Sequence, residues 1–138
     1  MKVLFDTNVI LDVMLDRVPF SGIAAKLLSF VETGKIQGFL GATTITTIHY
    51  IAQKAIGKED ALHEIEKLLT LFDISPVDKQ VLTNALKTDF KDFEDAVLHE
   101  AGKASYVESI VTRNKKDFEH ATIPVFSPQE LLDKLNRD

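Results

Sequence analysis

The sequence contains no cysteine. That excludes disulfides, thiolate catalysis and Cys-based zinc or iron–sulfur sites, so any metal must be held by oxygen or imidazole ligands. No apolar run approaches the roughly 20 residues that span a bilayer. The N-terminus offers a single Lys2 with Asp6 close behind, which is not a signal peptide. A cytoplasmic protein with no membrane association is the expectation. Positive charge is also scarce, and the formal net charge is −5. Simple electrostatic binding of nucleic acid is disfavoured, because it rests on phosphates neutralised by Lys and Arg. A nuclease is not excluded: carboxylates that hold divalent cations count as bare negative charge in such a sum, and the cations restore attraction for phosphate. Repeats, linkers and low-complexity tracts are absent as well.

What is present is a chain of 138 residues, 45% hydrophobic and 27% charged. This predicts one globular domain over residues 1–138 with a genuine core. The organising stretch is Lys2 to Asp12. Val3 to Phe5 read as a short buried strand, Asp6-Thr7-Asn8 follows, and a second apolar run begins at Val9. A carboxylate at the end of a first strand suits a metal or catalytic group, since ligands in open α/β sheets gather at the carboxyl ends of strands. The same three residue types also cap helices.

Further along, Asp16 to Pro19 reads as a turn, and a helix with Ser21 as cap runs to Gly34. A strand is predicted over Ile36–Gly41, then a helix from Thr43 or Thr44 to Ile56, and another from about Asp60 to Phe72. Asp73 to Val77 is extended, Asp78 to Leu86 helical, and a further helix starts near Asp92. Tyr106 to Thr112 reads as a strand and Ile123 to Phe126 as a short edge strand. Ser127-Pro128-Gln129-Glu130 carries the signature of a capped helix start. Alternation of strands and helices predicts an α/β fold: a three-layer α/β/α sandwich around a four- or five-stranded parallel sheet.

Three acidic groups then fall at equivalent places: Asp6 after the first strand, Asp92, Glu94 and Asp95 at a helix start, and Asp117 after the late strand. Asp92 and Asp95, three apart, share a helical face, whereas Glu94 is expected to point elsewhere. Hard oxygen donors without Cys suit Mg²⁺ or Mn²⁺ and metal-assisted hydrolysis of a phosphodiester. Against this, acids in a first helical turn are favoured as caps in their own right.

Together, Val3 to Asp12, Asp92 to Val97, and Ile110 to Phe118 resemble the motifs of the PIN domain family, in its order and over essentially the whole chain. The resemblance implies a Mg²⁺- or Mn²⁺-dependent ribonuclease, often a toxin of the VapC type among small bacterial members. It carries Asp6 onto the family's first acid and Asp95 onto the acid before the Ala-rich helix, with Asp92 as a neighbour able to assist. At the fourth position Asn114 occupies the usual place and Asp117 is the nearest carboxylate. The implied catalytic set is Asp6, Asp92, Asp95 and Asp117, with Asp6, Asp95 and Asp117 on the metal and Asn8, Thr112 and Asn114 in support.

One departure stands out. The family's second acid should lie within Thr43 to Gln53, and that segment has no Asp or Glu. His49 is near the expected place and can ligate metal, although a lone His on an apolar helix more often has a structural role. His63, His99 and His120 lack paired metal spacing, and His99 follows Asp95 by one turn, where it can support a ligand. Arg113, Lys115 and Lys116 can hold RNA phosphate or simply be solvated. The expected function is an endoribonuclease with an RNA substrate and an antitoxin partner. A PIN-fold RNA- or protein-binding module with decayed catalysis is the alternative. A phosphatase-like enzyme with Asp6 as nucleophile fits less well, because Asn8 stands where a second acid is wanted. Apolar excess on the helices Ile45 to Ile56 and Leu62 to Phe72 predicts a homodimer through them.

Overall fold

Val3, Leu4 and Phe5 are each 0% exposed, and this run is the middle of the sheet. In the computed structural model, which describes residues 1–137, the strands are β1 (Lys2–Phe5), β2 (Gln37–Gly41), β3 (Asp73–Ser75), β4 (Ser109–Val111) and β5 (Val125–Phe126). All neighbours pair in parallel, in the order β3-β2-β1-β4-β5. Parallel neighbours need long crossovers, and helices supply most of them. They are α1 (Thr7–Met14), α2 (Ser21–Glu32), α3 (Ala42–Ile56), α4 (Lys58–Leu71), α5 (Lys79–Ala85), α6 (Phe93–Ala104) and α7 (Pro128–Arg137). A 3₁₀ turn, Lys115–Phe118, follows β4.

Alternation along β1 decides the layers. Val3 and Phe5 face a core built with Val9 and Ile10 of α1, Leu27 of α2, Ile48 of α3, Leu68 of α4 and Leu131 of α7. Leu4 faces the other way, against Leu98 of α6, Ile110 and Phe118. Both sheet faces are therefore covered, which explains why β1 is apolar without a polar break. Gly102 lets α6 lie close to β1, since a Cβ there would sit 2.8 Å from the Leu4 side chain. Gly57, with φ of 90°, makes the one-residue joint between α3 and α4.

Several boundaries differ from the sequence reading, each for a local reason. Tyr106 is not in a strand. The amides of Ser105, Tyr106 and Val107 turn back onto carbonyls of α6, and Tyr106 has φ of 61°, so hydrogen bonding to β1 starts only at Glu108, whose N–H donates to Lys2 O at 2.8 Å, and the paired strand at Ser109. Ile36 likewise donates to Phe30 O at the end of α2, leaving β2 to begin at Gln37. Ser21 is the first residue of α2 rather than its cap, and Phe20 precedes it with no side-chain cap. The α4 helix opens at Lys58, before Asp60. The predicted start of α7 is present in full: Ser127 N donates to Glu130 Oε1 at 2.8 Å and Glu130 N to Ser127 Oγ at 3.1 Å.

Candidate active site

The strand order reverses on either side of β1, with β2 on one flank and β4 on the other. The crevice beyond the carboxyl ends of β1 and β4 is thus the switch point of the sheet, where such folds place ligands. Asp6 ends β1 there, and its N–H donates to Val111 O of β4 at 3.0 Å. Its side chain both caps α1 and faces the crevice, so the two readings of this residue coexist. Oδ1 accepts from Thr7 N at 2.8 Å, while Oδ2 accepts from Thr112 Oγ1 at 2.7 Å and from Asn8 Nδ2 at 3.3 Å. Thr112 Oγ1 in turn accepts from Asn114 N at 3.0 Å. One hydroxyl thereby ties the ends of both central strands to the loop that follows β4.

A cleft of 370 Å³ opens at this point, lined among others by Asp6, Asn8, Asp92, Glu94, Asp95, Asn114 and Asp117. Burial pushes the Asp6 carboxyl above its ordinary value against the opposing bonds from Thr112 and Thr7, and Glu94 and Asp117 add to the rise. Asp95 is pushed up to about 7, first by burial and then by Asp6, Asp92, Asp117 and Glu94. These are signs of carboxylates crowded without enough countercharge. Asp92 is the N-cap of α6, its Oδ1 accepting from Asp95 N at 3.1 Å.

Two expectations are corrected by this geometry. Glu94 does not point elsewhere. Asp92 sits outside the helix in extended backbone, so helical spacing does not run from it, and Glu94 lines the cleft while accepting from Thr47 Oγ1 of α3 at 3.3 Å. His49 does not line the cleft where the absent acid would stand. The α3 side chains that reach the cleft are Thr47, through Glu94, and Ile51. His49 stands two positions from each, about 200° round the helix, and its Nε2 is buried with no hydrogen-bond partner among the described residues.

Other candidates are placed as follows. Arg113 is committed to structure: Nε and Nη2 reach the buried Asp12 carboxylate at 2.6 and 3.2 Å, and its guanidinium lies 4.0 Å over the Phe20 ring. Lys115 pairs with Glu130 of α7 at 2.9 Å. Lys116 lines a cavity beside the cleft. His99 is not in support of Asp95. Its Nε2 accepts from Thr122 N at 3.0 Å, so Nδ1 carries the proton that bonds Glu100 Oε2 at 2.7 Å. Thr47 and the Asp12–Arg113 pair are what sequence reasoning missed, and Glu94 was seen but misplaced; of the missed pair, Asp12, the lone carboxylate of an apolar helix, carried a visible signal.

The donor set is hard oxygen, which fits Mg²⁺ or Mn²⁺. Among the described residues, no three Asp, Glu or His side chains are already close enough to form a cation cluster. A cation would have to draw the cleft carboxylates together and complete its shell with water, which Mg²⁺ retains readily.

A doubly covered parallel sheet with an acidic crevice at its switch point is the arrangement of a known family. The PIN domain model matches residues 2–116, and the chain belongs to that family. Ribonuclease VapC1 of Aquifex aeolicus (strain VF5) is 26% identical over 98% of this chain and 96% of its own length. Among solved structures, a toxin–antitoxin complex from Klebsiella pneumoniae superposes with a TM-score of 0.68 at 24% identity, covering 91% of this chain and 97% of that one. FitAcB from Neisseria gonorrhoeae gives 0.69 at 20% identity, over 92% and 98%. These structures share the fold.

Proposed function

We propose that the cleft is the active site of a Mg²⁺- or Mn²⁺-dependent endoribonuclease that serves as the toxin of a toxin–antitoxin pair. The observation that carries this reading is the gathering of Asp6, Glu94, Asp95 and Asp117 around one cleft, with Asp95 pushed up to about 7. Crowded, perturbed acids in a cleft are functional-site candidates on physical grounds. The 26% identity to a VapC1 ribonuclease supports RNA as substrate, and a toxin–antitoxin complex among the fold's relatives supports a protein partner. The cytoplasm is the compartment this reading requires.

Asp6, Asp95 and Asp117 would hold the cation, with Glu94 supplying the carboxylate that α3 lacks. When bound, the cation supplies an activated water and charge stabilisation at the leaving oxygen. The chain's own work is positional. Thr112 and Asn8 fix Asp6 Oδ2, Asp92 fixes the first turn of α6, and Thr47 holds Glu94. Near neutral pH the metal-free Asp95 carboxyl keeps a proton part of the time, so loading releases it.

A binding module without catalysis is the second reading, favoured by the missing acid on α3. Incubating a mixed RNA panel with Mn²⁺, and with chelator, separates the two. Cleavage by wild type that vanishes with chelator and in Asp6→Asn supports the enzyme; intact RNA throughout sinks it.

A further inference from the structure

Beside the acid cleft lies a cavity of 260 Å³ that shares Asp92, Asp95 and Asp117 with it and continues between Lys91 and Lys116. Resting on the nuclease reading of the cleft, the geometry points to this cavity as a second subsite, which holds the RNA backbone phosphate next to the scissile one between the two lysines. Lys91 stands directly before the Asp92 cap of α6, and Lys116 lies in the 3₁₀ turn beside Asp117. Each lysine is therefore one residue away from a cleft acid, carried by a different element.

The basic residues around this edge are not equivalent. Arg113 is locked on Asp12 and Lys115 on Glu130. Among the described residues neither Lys91 nor Lys116 has a carboxylate within 4.0 Å, and both are exposed. Glu119 and His120 line the same cavity, with His120 Nε2 3.7 Å from Glu119 Oε1, so Glu119 adds a further carboxylate to its wall. The shared wall of three carboxylates would repel a free anion from the metal-free protein. A cation held by the acids offsets part of their charge, and Lys91 and Lys116 are then the positive groups of this cavity that no carboxylate holds within 4.0 Å. A phosphate tethered to the one in the cleft meets both conditions, because the strand that delivers one must deliver the next. This distinguishes a nucleic-acid strand from an isolated phosphate.

The test measures binding of a fluorescently labelled, random-sequence single-stranded RNA by anisotropy across a salt series, with Ca²⁺ replacing Mn²⁺ and RNA integrity checked on gels. Lys91→Ala/Lys116→Ala should lower affinity at least tenfold and flatten the slope of log affinity against log salt by about 0.7 for each lysine. Its melting temperature should match wild type, and its Mn²⁺ affinity should be no weaker. A control pair on α4, Lys58→Ala/Lys67→Ala, removes the same charge and should change neither affinity nor slope. Wild-type affinity and slope in the Lys91/Lys116 variant would overturn the subsite, as would an equal loss in the control or an absence of RNA binding by wild type. A protein that binds RNA through these lysines yet cleaves nothing with Mn²⁺ overturns the nuclease reading alone.

Discussion

Asp95 is held between a partly apolar setting and four other carboxylates, and its stability linkage follows from that. Its folded pKa of about 7 lies above the ordinary 3.8, so between those values the folded state keeps a proton that the unfolded chain releases. The contribution is fully present below about pH 4 and is lost as pH rises through about 7. The metal-free Asp95→Asn variant should therefore melt a few degrees above wild type at pH 8. The gain is on the order of 1–2 kcal/mol after discounting for solvent screening of a half-exposed group. The same variant should lose cleavage and the stabilisation that Mn²⁺ gives wild type. Equal melting temperatures at pH 8 would show that the crowding has no thermodynamic weight. Glu94→Gln keeps a partner for Thr47 while removing charge; calorimetry should find Mn²⁺ binding weaker by about tenfold, the scale of a lost supporting interaction. Asp6 and Asp95 stood out in sequence at a strand end and a helix start, but only the family resemblance separated them from helix caps. Glu94 was misplaced, because counting helical positions from Asp92 assumes that Asp92 is inside the helix, and it is the cap.

Between elements, the Asp12–Arg113 pair joins α1 to the loop that follows β4. Asp12 is 0% exposed, and Arg113 reaches it with two nitrogens while its own backbone N–H donates to Asn8 Oδ1 at 3.3 Å. Arg17 adds a longer contact at 3.8 Å. Arg113→Ala would leave a buried carboxylate largely unpaired, so urea denaturation should show a loss of about 3–5 kcal/mol. Arg113→Lys should recover little, since an ammonium cannot reproduce the two-pronged contact or the stacking on Phe20. Full stability in Arg113→Ala would mean that the residue is free for RNA after all. The helix starts with a strong local code were readable, as Ser127 and Glu130 demonstrate. The short β4 was not: Tyr106 and Val107 have strand-like side chains, yet their amides are used up by the end of α6. Local propensity describes side chains, whereas the boundary here is set by backbone hydrogen bonds.

Across the whole molecule, parallel pairing was predictable from the alternation of elements, but the order β3-β2-β1-β4-β5 was not, and that order is what sets Asp6 beside Thr112. The same topology leaves the α3–α4 hairpin packed on the sheet by one side only, with Ile48 and Leu68 in the core. Its other side shows Tyr50 at 56%, Leu62 at 49% and Leu69 at 52% exposure. Large apolar side chains gathered on one hairpin are what a self-association surface requires, since isolated ones would need no explanation. A second copy of the chain is the partner this predicts, and the interface should be sensitive to charge at its centre. Leu62→Glu/Leu69→Glu places like charges on both copies at once, because a two-fold interface presents each change twice. Sedimentation equilibrium should find wild type as a dimer at micromolar concentration and the double variant as a monomer. Circular dichroism of the variant should be unchanged, as neither leucine contributes to the buried core. A wild-type protein that stays monomeric at high concentration, or a double variant that still dimerises, would remove the hairpin as the interface.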